Sequence, residues 1–428
     1  MLFSRGDLTS ITLMLSAFST FSLASGLHMN SGKSSFDCNG VGDSMVKDIE
    51  TLTGMKRGNI SFKYLAVKIM PKRLGVLDCQ CLVDKVTERI QRLGARQLSY
   101  AERVVLISAV LSSLHNYWAD IFMLPKLVLK KIDSVCRAFL WYGTKNKERP
   151  YLVAWNQICQ PKKKGGLGFK NLYQWNISLI AKYVRWVKKK ADHLWVRWVH
   201  AIYIKDRLWK DYEPSISSSW AWKRICEVKN KLKHHMFDEA WRGNDQEYSV
   251  QLGYSWLAEE VADVPWYTWI RNRIMLPKHE VFIWLVARNR LLTQDRLMKM
   301  NIVQGNCCFL CGAAEETIDH LFFLCPFSQQ CRQHIATWLD YPIPNQTVIS
   351  WWLGYRDRSL LRKHIIAACM AHVMYSIWYV RNRCRLENVI PLHAVVIKQL
   401  KKLFILQLKP SCVGSSIRSV QTWITQLE

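Results

Sequence analysis

The stretch CCFLCGAAEETIDHLFFLC, residues 307–325, sets Cys308, Cys311, His320 and Cys325 in the order C-x2-C-x8-H-x4-C. No other feature restricts local folding so tightly. Two thiolates separated by two residues can grip one metal ion from a tight turn, and a His/Cys pair completes a tetrahedron. That second pair spans HLFFLC, about one helical turn, so both ligands are expected on one side with the apolar residues between them packed over the metal. Four donors fill the preferred shell of zinc and leave no open position, which predicts a structural Zn2+ site and argues against a catalytic one. The alternative is a set of buried thiols that never meets a metal. Cys307, Cys331 and His334 lie close by and are left outside the set.

The rest of the chain is long enough to fold around that site. With 428 residues, half of them hydrophobic, it can bury large cores, and two or three domains are expected. The 14 Cys are scattered over this length, unlike the dense pattern of a small disulfide scaffold, and read as reduced thiols with a few metal ligands. Net charge is +27, an excess that favours a polyanionic partner, most often nucleic acid. The 20 Trp suit both cores and base stacking.

Two features near the start imitate other motifs. Arg5 followed by ITLMLSAFSTFSLASGL resembles a signal peptide, but Asp7 and the interrupting Ser and Thr favour a soluble amphipathic helix with Leu8, Ile11, Leu15, Phe18 and Leu23 on one face, capped by Asp7 or Thr9. No run reaches 18 uninterrupted apolar residues, so no membrane span is expected. GLHMNSGKS, Gly26 to Ser34, imitates a P-loop, yet five residues separate its glycines where four are needed, and it follows a helix rather than a strand.

The fold expected is mainly α with minor β, the β elements falling near 60–70 and 245–252. VLDCQCLVDKVTERIQRL reads as a helix. SYAE opens another with a capping box, Ser99 accepting from the amide three residues on and Glu102 reaching back, followed by an apolar stripe of Val105, Leu106, Ala109, Val110 and Leu114. Residues 265–297 read as helical, interrupted at Pro277, and 351–386 as a further long helix.

Residues 126–210 hold 20 Lys and Arg against 4 Asp and Glu, a net +16, and seven Trp. Lys162, Lys163 and Lys164 precede a Gly-rich turn and a helix whose apolar positions are Leu172, Trp175, Leu179, Tyr183 and Trp186. Arg185 lies on that helix, and Lys188, Lys189 and Lys190 end it. These seven cations are the candidate contacts to an RNA or DNA backbone. The plainer reading of a lysine run at a helix C-terminus is a solvated end favoured by the helix dipole.

Taken together, PWYTWIRNRIMLPKHEVFIWLVARNRLLTQDRL and CCFLCGAAEETIDHLFFLCPFS resemble the zinc-binding module at the C-terminal end of plant non-LTR (LINE-type) retrotransposon reverse transcriptases. YLAVKIMPKRL, LSYAERVVLISAVLSSLHNYW and KKKGGLGFKNLYQWNISLIAKY resemble the segments between the polymerase and that module, so the resemblance runs over nearly the whole chain. The family often has Gly where this chain has Glu102, a difference confined to a helix cap. The resemblance implies a residual end of the palm at 1–70, a basic helical thumb or connection region at 71–240, the zinc-binding domain at 241–340 and a C-terminal helical segment at 341–428.

It also bears on catalysis. In the family, MLFSRGD follows directly on the Ala-Asp-Asp turn that holds the polymerase metal ions, and that pair is not among these residues. Lys33, at the position of a phosphate-facing lysine, is expected to be idle, and Asp7, Asp37 and Asp43 stand outside the required motif. Two-metal phosphoryl transfer needs such carboxylates. The expectation is therefore a truncated, catalytically inactive reverse-transcriptase-like protein, intracellular (nuclear or cytoplasmic), that binds zinc and nucleic acid and takes no small-molecule substrate. The alternatives are a polymerase subunit completed by another chain, a gene fragment without function, and a secreted protein with a real signal peptide.

Overall fold

The computed structural model describes residues 2–411 apart from 3, 31–33, 39, 59–61, 65–66, 70–72, 93–97, 111–115, 144–150, 238–246, 272–273, 342–359 and 388–391. Lys33 and Leu114 lie outside the described residues, as do the first nine positions of the expected 351–386 helix.

The chain is mainly α. The N-terminal helix α1 (Leu8–Ser25) starts where expected, Asp7 accepting from the Ser10 amide, and stops at Gly26 in the left-handed conformation. Its amphipathic character is not borne out. Only Ile11 and Ser22 are buried, while Leu13 is 67% and Leu23 85% exposed. Apolar residues surround the axis because Leu, Phe and Ala fall between the chosen positions as well as on them. By length and composition α1 is also apolar enough to cross a membrane. Strand β1 (Ser35–Phe36) pairs in parallel with β2 (Lys56–Arg57) around α2 (Asp43–Thr53), and β3 (Phe62–Tyr64) pairs antiparallel with β4 (Val67–Ile69) in the register Phe62↔Ile69.

A helical body follows: α3 (Gln80–Arg92), α4 (Tyr100–Val110), α5 (Asn116–Ile121), α6 (Lys126–Tyr142), α7 (Trp155–Cys159) and α8 (Leu172–Lys189). The capping box forms, Ser99 N donating to Glu102 Oε2 at 2.6 Å and Glu102 N to Ser99 Oγ at 3.4 Å. The stripe assigned to α4 is only partly right: Val110 is buried and Leu106 packs against the core, but Val105 and Ala109 are exposed, and the other buried positions are Ala101, Arg103 and Ile107. Nearly every position of RVVLISAV is apolar, so the pattern alone does not choose a side. Buried Asn176 ties α8 to the α5–α6 connection, its Oδ1 accepting from Leu124 N and its Nδ2 donating to Ala119 O and Phe122 O.

Next come α9 (Leu194–Val199), α10 (Trp220–Lys231), α11 (Lys233–Phe237), α12 (Val250–Trp256), α13 (Tyr267–Ile270), α14 (Pro277–Ala287), α15 (Gln294–Lys299), α16 (Pro326–Leu339), α17 (Leu360–Glu387) and α18 (His393–Ser411). The β element expected at 245–252 is absent from the described part of that stretch. Ser249 accepts from Leu252 N and starts α12, so a side-chain cap overrides the local strand propensity. The 265–297 segment breaks into three short helices, with Pro277 at the first turn of α14.

Two cores hold this body together. The larger draws on residues from Leu74 to Leu408 and joins α3, α4 and α6 to α14, α16, α17 and α18. The smaller lies between α8 and α10 and is rich in rings. Helix α8 serves both: Leu172, Trp175 and Leu179 face the larger core, and Ile177, Ile180, Val184 and Val187 the smaller.

Candidate metal centre

The C-x2-C turn is built by its own backbone. Cys308 N donates to Ala314 O and Gly312 N to Cys308 O, both at 2.8 Å, and Gly312 adopts φ +69° to close the loop. A short bridge between Cys307 and Glu315 draws the flanks together. Cys308 and Cys311 are thereby set on one side of a tight turn.

The second ligand pair depends on a detail that the sequence reading missed. His320 and Cys325 are five positions apart, and an α-helix at 3.6 residues per turn would point them about 140° away from each other. The chain instead forms a single π-turn over His320–Leu324, closed by Cys325 N donating to His320 O at 2.7 Å. Hydrogen bonding to the fifth residue stacks the two positions and restores the convergence. Thr317 Oγ1 accepts from His320 N and fixes the entry, while Pro326 starts α16 immediately after Cys325.

The donor atoms of Cys308, Cys311, His320 and Cys325 all lie within 4.8 Å of one another. A tetrahedron with metal–sulfur bonds of about 2.3 Å has edges of about 3.8 Å, so the cluster fits a four-coordinate ion with a small inward adjustment. His320 presents Nε2, 3.3 Å from Cys311 Sγ. Burial depresses the His320 pKa, opposed in part by Glu316, which keeps the imidazole neutral and able to ligate. The Cys308 thiol donates to Cys325 sulfur, so Cys308 is held well above its ordinary pKa and Cys325 below it, the latter aided by the Phe327 and Ser328 amides at the start of α16. A metal replaces that shared proton, so binding releases protons. Among the described residues the cluster contains these four alone; Cys331 is buried apart from it, and His334 Nδ1 lies 3.1 Å from Gln330 O.

A second buried feature went unread in the sequence. Glu316, in the middle of the metal loop and fully buried, accepts from Arg381 of α17, whose Nε lies 3.0 Å from each carboxylate oxygen. Gln294 N donates to the same carboxylate at 3.0 Å. Arg381 is flanked by the Phe309 and Trp378 rings. The metal loop is thus clamped to α17 by a desolvated ion pair. Its sequence signal was slight: Arg381 is one of two Arg at the end of the run MYSIWYVRNRC, with nothing to tell it from Arg383.

The seven basic candidates are not gathered at one place. Lys162, Lys163 and Lys164 form a 3-10 turn before α8, with Lys162 and Lys163 exposed and Lys164 Nζ donating to Glu259 O. Lys188, Lys189 and Lys190 stand at the other end of α8, roughly 27 Å away at 1.5 Å per residue. Lys189 and Lys190 are exposed, whereas half-buried Lys188 turns its ammonium to Met236 O and the Phe237 ring. Arg185 is half-buried between the two runs.

Fold and cluster together define a helical protein with a Cys3His knuckle set into its main core. Residues 248–331 match the family of zinc-binding modules in reverse transcriptase. A putative ribonuclease H protein of Arabidopsis thaliana is 32% identical over 157 residues, which is 36% of this chain and 25% of that protein, so the match spans a quarter of that relative's length. An uncharacterized mitochondrial protein of the same plant is 31% identical over 117 residues, 27% of this chain and 76% of that relative. The chain belongs to the plant retrotransposon family related to reverse transcriptase that carries this zinc-binding module.

Proposed function

We propose that this chain is a zinc-stabilised nucleic-acid-binding protein that holds the phosphate backbone of RNA or DNA through residues 126–210 and extends no primer by itself. One observation carries the reading: a net +16 is concentrated in residues 126–210, of which α6, α7 and one face of α8 contribute to the same core as the Cys3His cluster. Zinc suits three thiolates and an imidazole with no open position, and in that role it supplies shape and folding energy rather than chemistry. These 428 residues contain no adjacent aspartate pair of the kind that holds the polymerase metal ions in the family the chain resembles, which supports the reading that it extends no primer by itself. Lysine runs grip phosphates and read no base edges, so sequence preference is weak.

The test is a salt titration of labelled RNA. Each neutralised phosphate on a single strand contributes about −0.7 to the log–log slope of affinity against salt. Changing Lys162, Lys163 and Lys164 together to Gln flattens the slope by up to about 2 units. The Lys188, Lys189 and Lys190 variant flattens it by a similar amount, because each run holds one lysine, Lys164 or Lys188, that already faces a carbonyl. Identical slopes for all three proteins would leave both runs as solvated ends. Template-dependent incorporation with Mg2+ or Mn2+ would overturn the inactivity.

A further inference from the structure

Between α4, α6, α14 and α17 lies a cleft of about 540 Å3, within the usual range for ligand sites. Its walls combine aromatic rings with cations. Tyr100, Trp141, Tyr142, Trp378 and Tyr379 line it, together with Arg103, Lys278, Arg381 and Arg385, and no carboxylate does among the described residues. Tyr100 is 37% and Tyr379 58% exposed, so rings are offered to solvent at the mouth. Lys278 and Arg385 are exposed there too, and neither has an acidic partner among the described residues. Deeper in, Trp141 Nε1 and the Tyr142 hydroxyl are shielded from solvent and have no hydrogen-bond partner among the described residues. A cavity with ring faces, unmatched positive charge and idle buried donors, and with no acid among the described residues, is complementary to an anion that carries flat heteroaromatic groups.

We infer that this cleft binds an unpaired stretch of nucleic acid, with bases against Tyr100 and Tyr379 and phosphates toward Lys278 and Arg385. The inference rests on the nucleic-acid reading above and adds to it a second kind of contact, stacking in place of charge alone. Single-strand sites combine the same two elements, a cationic track and aromatic platforms that accept any base. A duplex is a poor occupant, because its bases are already stacked on one another and present no free face. The metal loop sets the position of one wall: Arg381 lines the cleft and is paired to Glu316 behind it.

The experiment uses the full zinc-loaded chain and fluorescence anisotropy with labelled oligouridylate, oligothymidylate and a duplex of matched length. Tyr379→Ala is expected to weaken single-strand binding about tenfold, the size of one lost base stack. Tyr379→Phe keeps the ring and is expected to bind like the wild type. Arg385→Gln reduces the salt slope by about 0.7. Both sites are exposed, so folding is preserved, and zinc content checks this. The RNA and DNA arms show which strand the cleft prefers. Wild-type affinity in Tyr379→Ala and Arg385→Gln, with loss only in the lysine-run variants, overturns the cleft and leaves backbone binding intact. Duplex binding as tight as single-strand binding, or displacement of the oligonucleotide by an acidic peptide, overturns it too. Failure of the wild type to bind any oligonucleotide removes both readings.

Discussion

The two cores solve one packing problem with different means. Around the knuckle, the 307–325 loop, α16 and α17 are joined through a four-donor cluster and the Glu316–Arg381 pair. In the smaller core no such cluster occurs among the described residues. There Trp222, 2% exposed, stacks on Tyr203 at 5.1 Å and on Trp209 at 5.2 Å between ring centroids and donates its indole N–H to Tyr212 at 3.2 Å. Buried Lys229 adds hydrogen bonds to the Tyr212 and Lys210 carbonyls. Ring packing needs only correct shape, whereas the four-donor cluster is suited to an ion from outside. The two regions therefore respond to different insults.

Chelation tests this most directly. Removing the metal, or changing Cys308 and Cys311 together to Ser, is expected to release hydrogen-exchange protection across 300–335 while 195–232 stays protected. Structural zinc is linked to roughly 10–16 kcal/mol of folding free energy in small finger peptides. Full metal occupancy in the double variant would remove the assignment. The converse change is Trp222→Ala, expected to cost about 3–5 kcal/mol by leaving a large cavity. Its metal content should stay at one ion per chain, and loss of the ion there would show that the cores are not separable. Of similar size is Arg381→Met, about 3–5 kcal/mol, because Glu316 keeps a buried charge without its partner. Adding Glu316→Gln should recover part of that loss; no recovery in denaturant titration would break the ion-pair account.

The smallest expected effect, per step, is with pH. His279 on α14 is fully buried, and neither ring nitrogen has a hydrogen-bond partner among the described residues. Burial, with His372 beside it, pushes its pKa down to about 3. The unfolded chain therefore takes up a proton near pH 6.5 that the folded chain refuses. Stability falls as pH drops from about 6.5 toward 3, by up to about 1.4 kcal/mol per pH unit, and is fully present above that window. His279→Phe should flatten the thermal midpoint against pH relative to the wild type. Parallel curves would show that the acid sensitivity lies elsewhere.

Legibility from sequence divided along the same line. The ligands were readable because metal coordination leaves a residue-type and spacing signature, and the capping box at Ser99 because its two partners are three residues apart. The π-turn was not, since HLFFLC permits either hydrogen-bond pattern and only the fold shows which one forms. Nor was the Arg381–Glu316 pair, whose partners lie 65 residues apart with no local mark of either. The 245–252 region failed through a cap: Ser249 outweighs the β preference of Tyr248 and Val250. The ring partners of Trp222 could not be read either, because Tyr203, Trp209 and Tyr212 lie in turns and short helices whose approach only the tertiary fold decides.

That 65-residue separation also sets an order in time. During synthesis at about 5–20 residues per second, Glu316 is made roughly 3–13 seconds before Arg381 exists. The knuckle can close on its ion in that interval, but its central carboxylate has no cation yet and keeps its water. Burial of the loop must wait for α17, so a helix made later seals a cluster whose four donors were all made earlier.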